Sequence, residues 1–254
     1  LFKDLIKDLD DHSIVEPDIF LDVPFVPSDD RVIDTMLQLA QTGRKDVLYD
    51  LGCGDGRIVI AAAKKYHCTS IGVELDPLRV ADAMEQAGHA GVEYLVDFVE
   101  EDLFTADFSQ ATIVTLYLMD TINAILRPRL LQELRPGARI VSHAFDMGDW
   151  EADEILHVGG IKIYKWIVPA QVAGEWEWEG LDGTDYHLQL KQRYQDVSGK
   201  IWMNGKPARL TDLYLSGDCL ELSAQADASS PVISSHLYFD HQELLSVEEV
   251  EAED

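Results

Sequence analysis

The run Val47-Leu48-Tyr49-Asp50-Leu51-Gly52-Cys53-Gly54-Asp55-Gly56-Arg57 restricts this chain more than any other stretch. An apolar strand ends on a carboxylate, crosses three glycines at alternate positions and enters Arg57-Ile58-Val59-Ile60-Ala61-Ala62-Ala63, which reads as a helix. Strand, glycine loop and helix start together make a site for a nucleotide-type ligand. The acids narrow the ligand. Asp50 and Asp55 would repel a pyrophosphate and attract a cationic amino-acid tail. The dinucleotide pattern G-x-G-x-x-G also fails, because Arg57 stands at its third glycine.

Asp50-Leu51-Gly52-Cys53-Gly54-Asp55-Gly56 resembles the first motif of the class I S-adenosylmethionine-dependent methyltransferases. The resemblance implies that Asp50 and the loop backbone at Gly52, Cys53 and Gly54 hold the methionine part of the cofactor. Glu74, in Ile71-Gly72-Val73-Glu74-Leu75, matches the acid that takes the ribose hydroxyls. Asp102-Leu103, after the apolar run Val92 to Val96, matches the adenine position, and Leu116 lies at the end of the fourth strand beside it. Three carboxylates in order after three strands carry far more information than a glycine motif alone. The extended segment Asp22-Val23-Pro24-Phe25-Val26-Pro27-Ser28 resembles the "Y-V-P-T-P" arm of the branch that includes small protein-lysine methyltransferases. Phe25 and Val26 are then expected to close over the cofactor; the same segment also reads as a linker.

From Asp46 on, strand and helix alternate. Strands are expected at 47–51, 70–75, 92–97, 112–118 and 138–145, and helices at 56–65, 77–88 and 123–134. The strands are continuous Val/Ile/Leu runs, as in sheets covered on both faces. A doubly wound, mostly parallel seven-stranded sheet follows. Pro128 is expected to split the last helix. Ser28 reads as the N-cap of a helix over 29–41 that Gly43 stops. Gly159-Gly160 joins two apolar runs as a hairpin, 154–158 and 161–168, and the family ends its sheet with such a reversed strand. Beyond Val168 the period becomes strictly two, in Trp176-Glu177-Trp178 and in Tyr186 to Tyr194, with turn signals at Asn204-Gly205 and Ser216-Gly217-Asp218. The expected organisation is an arm over 1–21, a cofactor domain over 22–170, an antiparallel β module over 171–245 and an acidic disordered tail over 246–254. Trp176 and Trp178 share one strand face. They read as module core, with a carbohydrate or cation-binding role as the alternative.

Lys and Arg number 20 against 47 Asp and Glu, a formal charge of −27. Such a chain repels phosphate backbones, so nucleic acid is not expected as a partner. A basic protein or a small molecule is. Salt adaptation or simple solubility would produce the same charge, and the acids are spread along the whole chain. No apolar stretch is long enough to cross a bilayer, and no membrane partner is expected. Cys53, Cys68 and Cys219 show no metal spacing and suggest free thiols. The histidines are scattered, and no metal is expected. The chain opens on Leu1 and not on Met, from which a segment upstream is expected. S-adenosylmethionine is made in the cytoplasm, where the enzyme is placed.

The acceptor side should lie after the fourth and fifth strands. Tyr117 follows the fourth. Its stretch, Leu116-Tyr117-Leu118-Met119-Asp120, lacks the Asn-Pro-Pro-Tyr motif of nucleic-acid N-methyltransferases. His143 and Asp146 follow the fifth, and with Tyr117 they are the candidate catalytic residues. A strand histidine also reads as a satisfied core residue, and Tyr117 as a packed aromatic. Two other functions share the same sheet: a nicotinamide-dependent oxidoreductase, disfavoured by Asp50 and Arg57, and a non-catalytic cofactor-binding scaffold that docks partners through its β module. The oligomeric state is not legible.

Overall fold

The structure, a computed structural model, describes residues 27–250. The arm over 1–21, Phe25 and Val26 lie outside the described residues. Helix α1 (Asp30–Leu39) buries Val32, Ile33, Met36 and Leu37. Its cap is Asp29, whose side chain accepts from Arg31 N. Ser28 is not the cap expected of it: its hydroxyl is spent elsewhere, as described below.

The chain then alternates through β1 (Val47–Leu51), α2 (Arg57–Tyr66), β2 (Thr69–Glu74), α3 (Pro77–Ala90), β3 (Val96–Glu100), β4 (Ile113–Leu116), α4 (Asp120–Glu133) and β5 (Arg139–His143). The hairpin β6 (Glu154–Val158) and β7 (Ile161–Ile167) closes the sheet. Gly159 and Gly160 both take positive φ, 58° and 86°, as a two-residue turn of the hairpin type requires. Sheet order is β3-β2-β1-β4-β5-β7-β6. All pairs are parallel except those of β7. Strand order reverses between β1 and β4, and a ligand crevice opens at the carboxyl ends of such a pair. Alternate residues of the strands enter two separate cores. Leu48, Ile113, Val141 and Ile163 meet α1, α2 and α3 on one face. Leu51, Val114, Leu116, Ile140 and Trp166 meet α4 on the other.

Two further expectations, on the third strand and on Pro128, fail for identifiable reasons. The third strand runs over Val96–Glu100 and not 92–97. Gly91 caps α3 in the left-handed region at φ 68°, and Val92 folds back under that helix, buried in its core. The apolar run before the strand therefore belongs to helix packing, while the strand itself carries Asp97 and Glu100 because it is an edge. Helix α4 is continuous through Pro128. A proline inside a helix costs about 3 kcal/mol. Leu126 and Leu130 on its inner face, and Leu134 just beyond it, are fully buried, and roughly 1.5–3 kcal/mol for each outweighs that penalty.

The second sheet is an antiparallel meander of β8 (Gly174–Glu179), β9 (Asp185–Arg193), β10 (Asp196–Met203), β11 (Lys206–Ser216), β12 (Cys219–Gln225), β13 (Val232–Asp240) and β14 (Glu243–Val250), paired in chain order. It curls back on itself. Trp176 of β8 packs edge-on against Phe239 of β13 at 4.9 Å, and Leu181 N donates to Glu249 of β14. Trp178 stacks on Tyr186, and both tryptophans pack on the module's core. The acidic segment from Ser246 to Val250 is the end of β14 and not a tail. Its Val247 packs on the core between outward Ser246 and Glu248, an alternation that a count of charges conceals.

Candidate active site

The crevice at the β1–β4 switch point is built by the ends of β1, β2 and β4 and by the loop after β3. Asp50, at the end of β1, is only 3% exposed. Thr115 Oγ1 of β4 donates to its Oδ1 at 2.7 Å, and among the described residues no cation pairs with it. Burial pushes its carboxyl up to about 7; the Thr115 hydrogen bond opposes this, and the charges of Glu74 and Asp55 add to it. Asp50 thus presents to the cleft a desolvated carboxyl that ionises less readily than an ordinary aspartate.

The glycine loop follows. Gly52, at φ 80°, lines the cleft, and a Cβ there would stand 3.1 Å from Leu118 Cδ2. Gly54 does not line the cleft; its N–H donates to Glu74 Oε2 at 2.9 Å. Glu74 Oε1 accepts from Leu75 N and Asp76 N, each at 3.0 Å. Three backbone donors fix the carboxylate and leave it lone-pair capacity for a ligand. Cys53 lines the cleft, but burial first and the neighbouring Asp50 and Glu74 charges next push its thiol far up. It is inert packing there.

Asp102 stands two residues past β3. Its Oδ1 accepts from Phe104 N at 2.8 Å, and with Leu75, Leu103 and Phe104 it forms one wall of the cleft. Leu116 is fully buried beneath the floor; the lining side chain is Leu118, two residues on. Tyr117 lines the cleft beside Leu118 and Ile122.

The three candidate catalytic residues do not form a cluster. His143 is 3% exposed and lies behind Tyr117, their rings stacked at 3.7 Å and 21°. Its Nδ1 shares a 2.9 Å hydrogen bond with Ser28 Oγ, and burial lowers its pKa. Asp146 is exposed, and its Oδ1 accepts from Gly148 N. The group that reasoning from the sequence missed is Arg57. It grips Asp55 through Nε at 2.9 Å and Nη2 at 2.5 Å, and its Nη1 donates to Ser28 O at 2.9 Å. Burial opposes ionisation of Asp55, but the Arg57 hydrogen bonds and charge outweigh it and hold the carboxyl low. Arg57 therefore neutralises Asp55 and ties Pro27-Ser28 to the cleft edge, so Asp50 is the loop acid left for a cationic ligand.

A buried acid without a cation, a glycine cradle, a prearranged carboxylate on β2 and an acid beside apolar side chains after β3 suit the amine, ribose and adenine of S-adenosylmethionine. Known proteins agree. Residues 50–154 match the ANTKMT methyltransferase domain. A protein-lysine N-methyltransferase of Saccharolobus islandicus is 40% identical over 54% of this chain and 85% of its own length. The adenine nucleotide translocase lysine N-methyltransferase of Mus musculus is 32% identical over 58% of this chain, and the match spans only 64% of that protein. An RNA methyltransferase from Salinibacter ruber, solved with S-adenosyl-L-homocysteine, superposes with a TM-score of 0.57 at 48% identity, over 58% of this chain and 96% of that one. The chain thus belongs to the class I S-adenosylmethionine-dependent methyltransferases, with protein-lysine N-methyltransferases among its relatives, and uses S-adenosylmethionine as its methyl donor.

Proposed function

We propose that the enzyme methylates lysine side chains of a protein, and that Asp50 takes the donor's ammonium, Glu74 its ribose and Asp102 with Leu103 and Phe104 its adenine. The observation that carries the cofactor assignment is the buried, cation-free carboxylate of Asp50 at the glycine loop. S-adenosylmethionine supplies a methyl group already activated on a sulfonium. The protein must then fix the donor, admit a neutral amine in line and keep water out. Tyr117, Leu118 and Ile122 give the acceptor end a largely apolar wall, which favours the uncharged amine over the ammonium. His143 and Asp146 do not line the cleft, so Tyr117 shapes the channel and His143 supports it from behind. The amine sheds its proton to water before it is enclosed.

A protein acceptor rests on the lysine methyltransferases among the relatives and on the charge of −27. An RNA acceptor is the second reading, because the Salinibacter ruber relative is an RNA methyltransferase. The charge of this chain opposes it, since RNA binding depends on cations that meet phosphates. Among the described residues no helix is long and apolar enough to cross a membrane. We place the enzyme in the cytoplasm, where its donor is made. Dissociated ribosomes offer lysine-rich proteins and RNA in one tube, and methyl-labelled donor separates the readings. Label removed by protease, with methyl-lysine in the digest, supports the proposal. Label removed by nuclease overturns it.

A further inference from the structure

Among the described residues, all that line the cleft come before position 123, so the strands of the β module contribute none of them. The Salinibacter ruber relative is 96% matched by 58% of this chain. The module nevertheless packs against the methyltransferase domain. Two of its turns meet the segment that leads out of that sheet: Gly217 O accepts from Ala170 N at 2.7 Å, and His241 O from Gln171 N at 2.9 Å. The third turn, Tyr194-Gln195 between β9 and β10, lands instead on residues 144–152, the loop that follows β5. Tyr194 stacks on Trp150 at 5.7 Å and 22°, with Trp166 on the tryptophan at 6.0 Å. Trp150 Nε1 donates to Gln195 Oε1 at 2.8 Å, and Gln195 Nε2 donates to Glu151 O at 2.8 Å. Asp149 receives Arg193 on one oxygen at 2.6 Å, and Arg127 of α4 at 2.5 Å and the Tyr194 hydroxyl at 3.2 Å on the other.

We infer that this hairpin tip braces the acceptor-side wall from outside the cleft, and that Arg193, Tyr194 and Gln195 are positioning residues that hold the loop after β5, and through it Tyr117, at the methyl end of the cleft. The inference rests on the reading of Tyr117 as the channel wall. The loop leaves β5 through Ala144 at φ 69°, a left-handed conformation unfavourable for alanine, so outside contacts must hold it. They come from two sides. Asn123 Nδ2 of α4 donates to Phe145 O and Asp146 O, and Arg127 Nη1 donates to Met147 O at 2.6 Å. The module supplies the other side, through Asp149, Trp150 and Glu151. Phe145, at the loop's start, stacks on Tyr117 at 6.3 Å, and Tyr117 also rests on His143. Without the module Trp150 loses its stack on Tyr194, and Asp149 loses one of its two guanidinium partners. The slack then reaches Phe145 within a few residues.

Hydrogen exchange on the full chain tests this. Tyr194→Ala is expected to speed exchange of 144–152 and of 117–123 about tenfold, while 219–225 in the module keeps its protection. Tyr194→Phe keeps the stack and should restore most of it. Asp149→Asn gives a second route, from the methyltransferase side, that leaves the module's own sequence intact should Tyr194→Ala unfold it. S-adenosylhomocysteine affinity should stay within about twofold in all three, because none touches the cofactor end, while in Tyr194→Ala and Asp149→Asn kcat for transfer to dissociated ribosomes falls and KM for the donor does not change. Faster exchange confined to 149–152, with 117–123 at the wild-type rate in both Tyr194→Ala and Asp149→Asn, overturns the inference. A wild-type chain that fails to bind S-adenosylhomocysteine would instead overturn the cofactor assignment and leave the exchange result standing.

Discussion

Replacing Asp50 by Asn should make the free protein more stable and the enzyme worse. The carboxyl of Asp50 ionises at about 7 in the fold, against an ordinary 3.8. The folded state therefore holds this proton more tightly than the unfolded chain does. Its contribution to stability is complete below 3.8 and is lost as pH rises through about 7. Over that interval, at 1.36 kcal/mol per pH unit, the loss reaches a ceiling of roughly 4 kcal/mol. Asparagine never ionises, and its Oδ1 can still accept from Thr115. Urea denaturation should then show the two proteins alike near pH 4 and Asp50→Asn more stable at pH 8, by up to that ceiling. Binding moves the opposite way. The ligand's ammonium must find an ionised Asp50, so S-adenosylhomocysteine affinity in the wild type should climb about tenfold per unit from pH 5 to 7 and then level off. Asp50→Asn should lose the climb and bind about 10–100-fold more weakly at pH 8. A variant less stable than wild type at pH 8, binding the ligand normally, would make Asp50 a structural cap and refute the reasoning.

Other outcomes follow from the same geometry. Glu74→Ala removes an acceptor for three backbone donors as well as the ribose contact, so calorimetry should show donor affinity down by roughly 2–4 kcal/mol, with a lower Tm than Glu74→Gln. Gly56→Ala places a Cβ 2.7 Å from Phe98 Cε1 at φ 76° and should destabilise by about 1–3 kcal/mol in a denaturant titration, through backbone strain and overpacking together. A fragment ending at Pro169 should still bind S-adenosylhomocysteine, because the lining residues precede it. It should also self-associate in sedimentation, through the uncovered Trp150; a monodisperse, folded fragment without affinity would mean that the module completes the cofactor site.

The grouping of three acids at one cleft was legible because Asp50 and Glu74 directly follow short apolar runs and Asp102 comes shortly after one. Asp50 and Glu74 each end a strand, and Asp102 comes two residues after one, so a linear reading places all three at one sheet edge. The acceptor end was not, because its contacts join distant positions. Ser28 and His143 are 115 residues apart, and Tyr194 and Trp150 meet only across the two sheets. Arg57 was legible only as an absent glycine; that it also holds the Ser28 carbonyl depends on where the start of α1 is packed. The third strand was misplaced because edge strands carry charge and helix ends carry apolar anchors. Pro128 misled for a similar reason, since burial of neighbouring leucines decides the helix and the proline does not.

The account turns on which end of the cleft holds which part of the donor, and a crystal structure of the full chain with S-adenosylhomocysteine measures that directly. It should show the ammonium within hydrogen-bond reach of Asp50, both ribose hydroxyls on Glu74, the adenine amine on Asp102 and the sulfur facing Tyr117. A ligand bound elsewhere, or one bound here with Asp50 and Glu74 making no contact to it, would contradict the account.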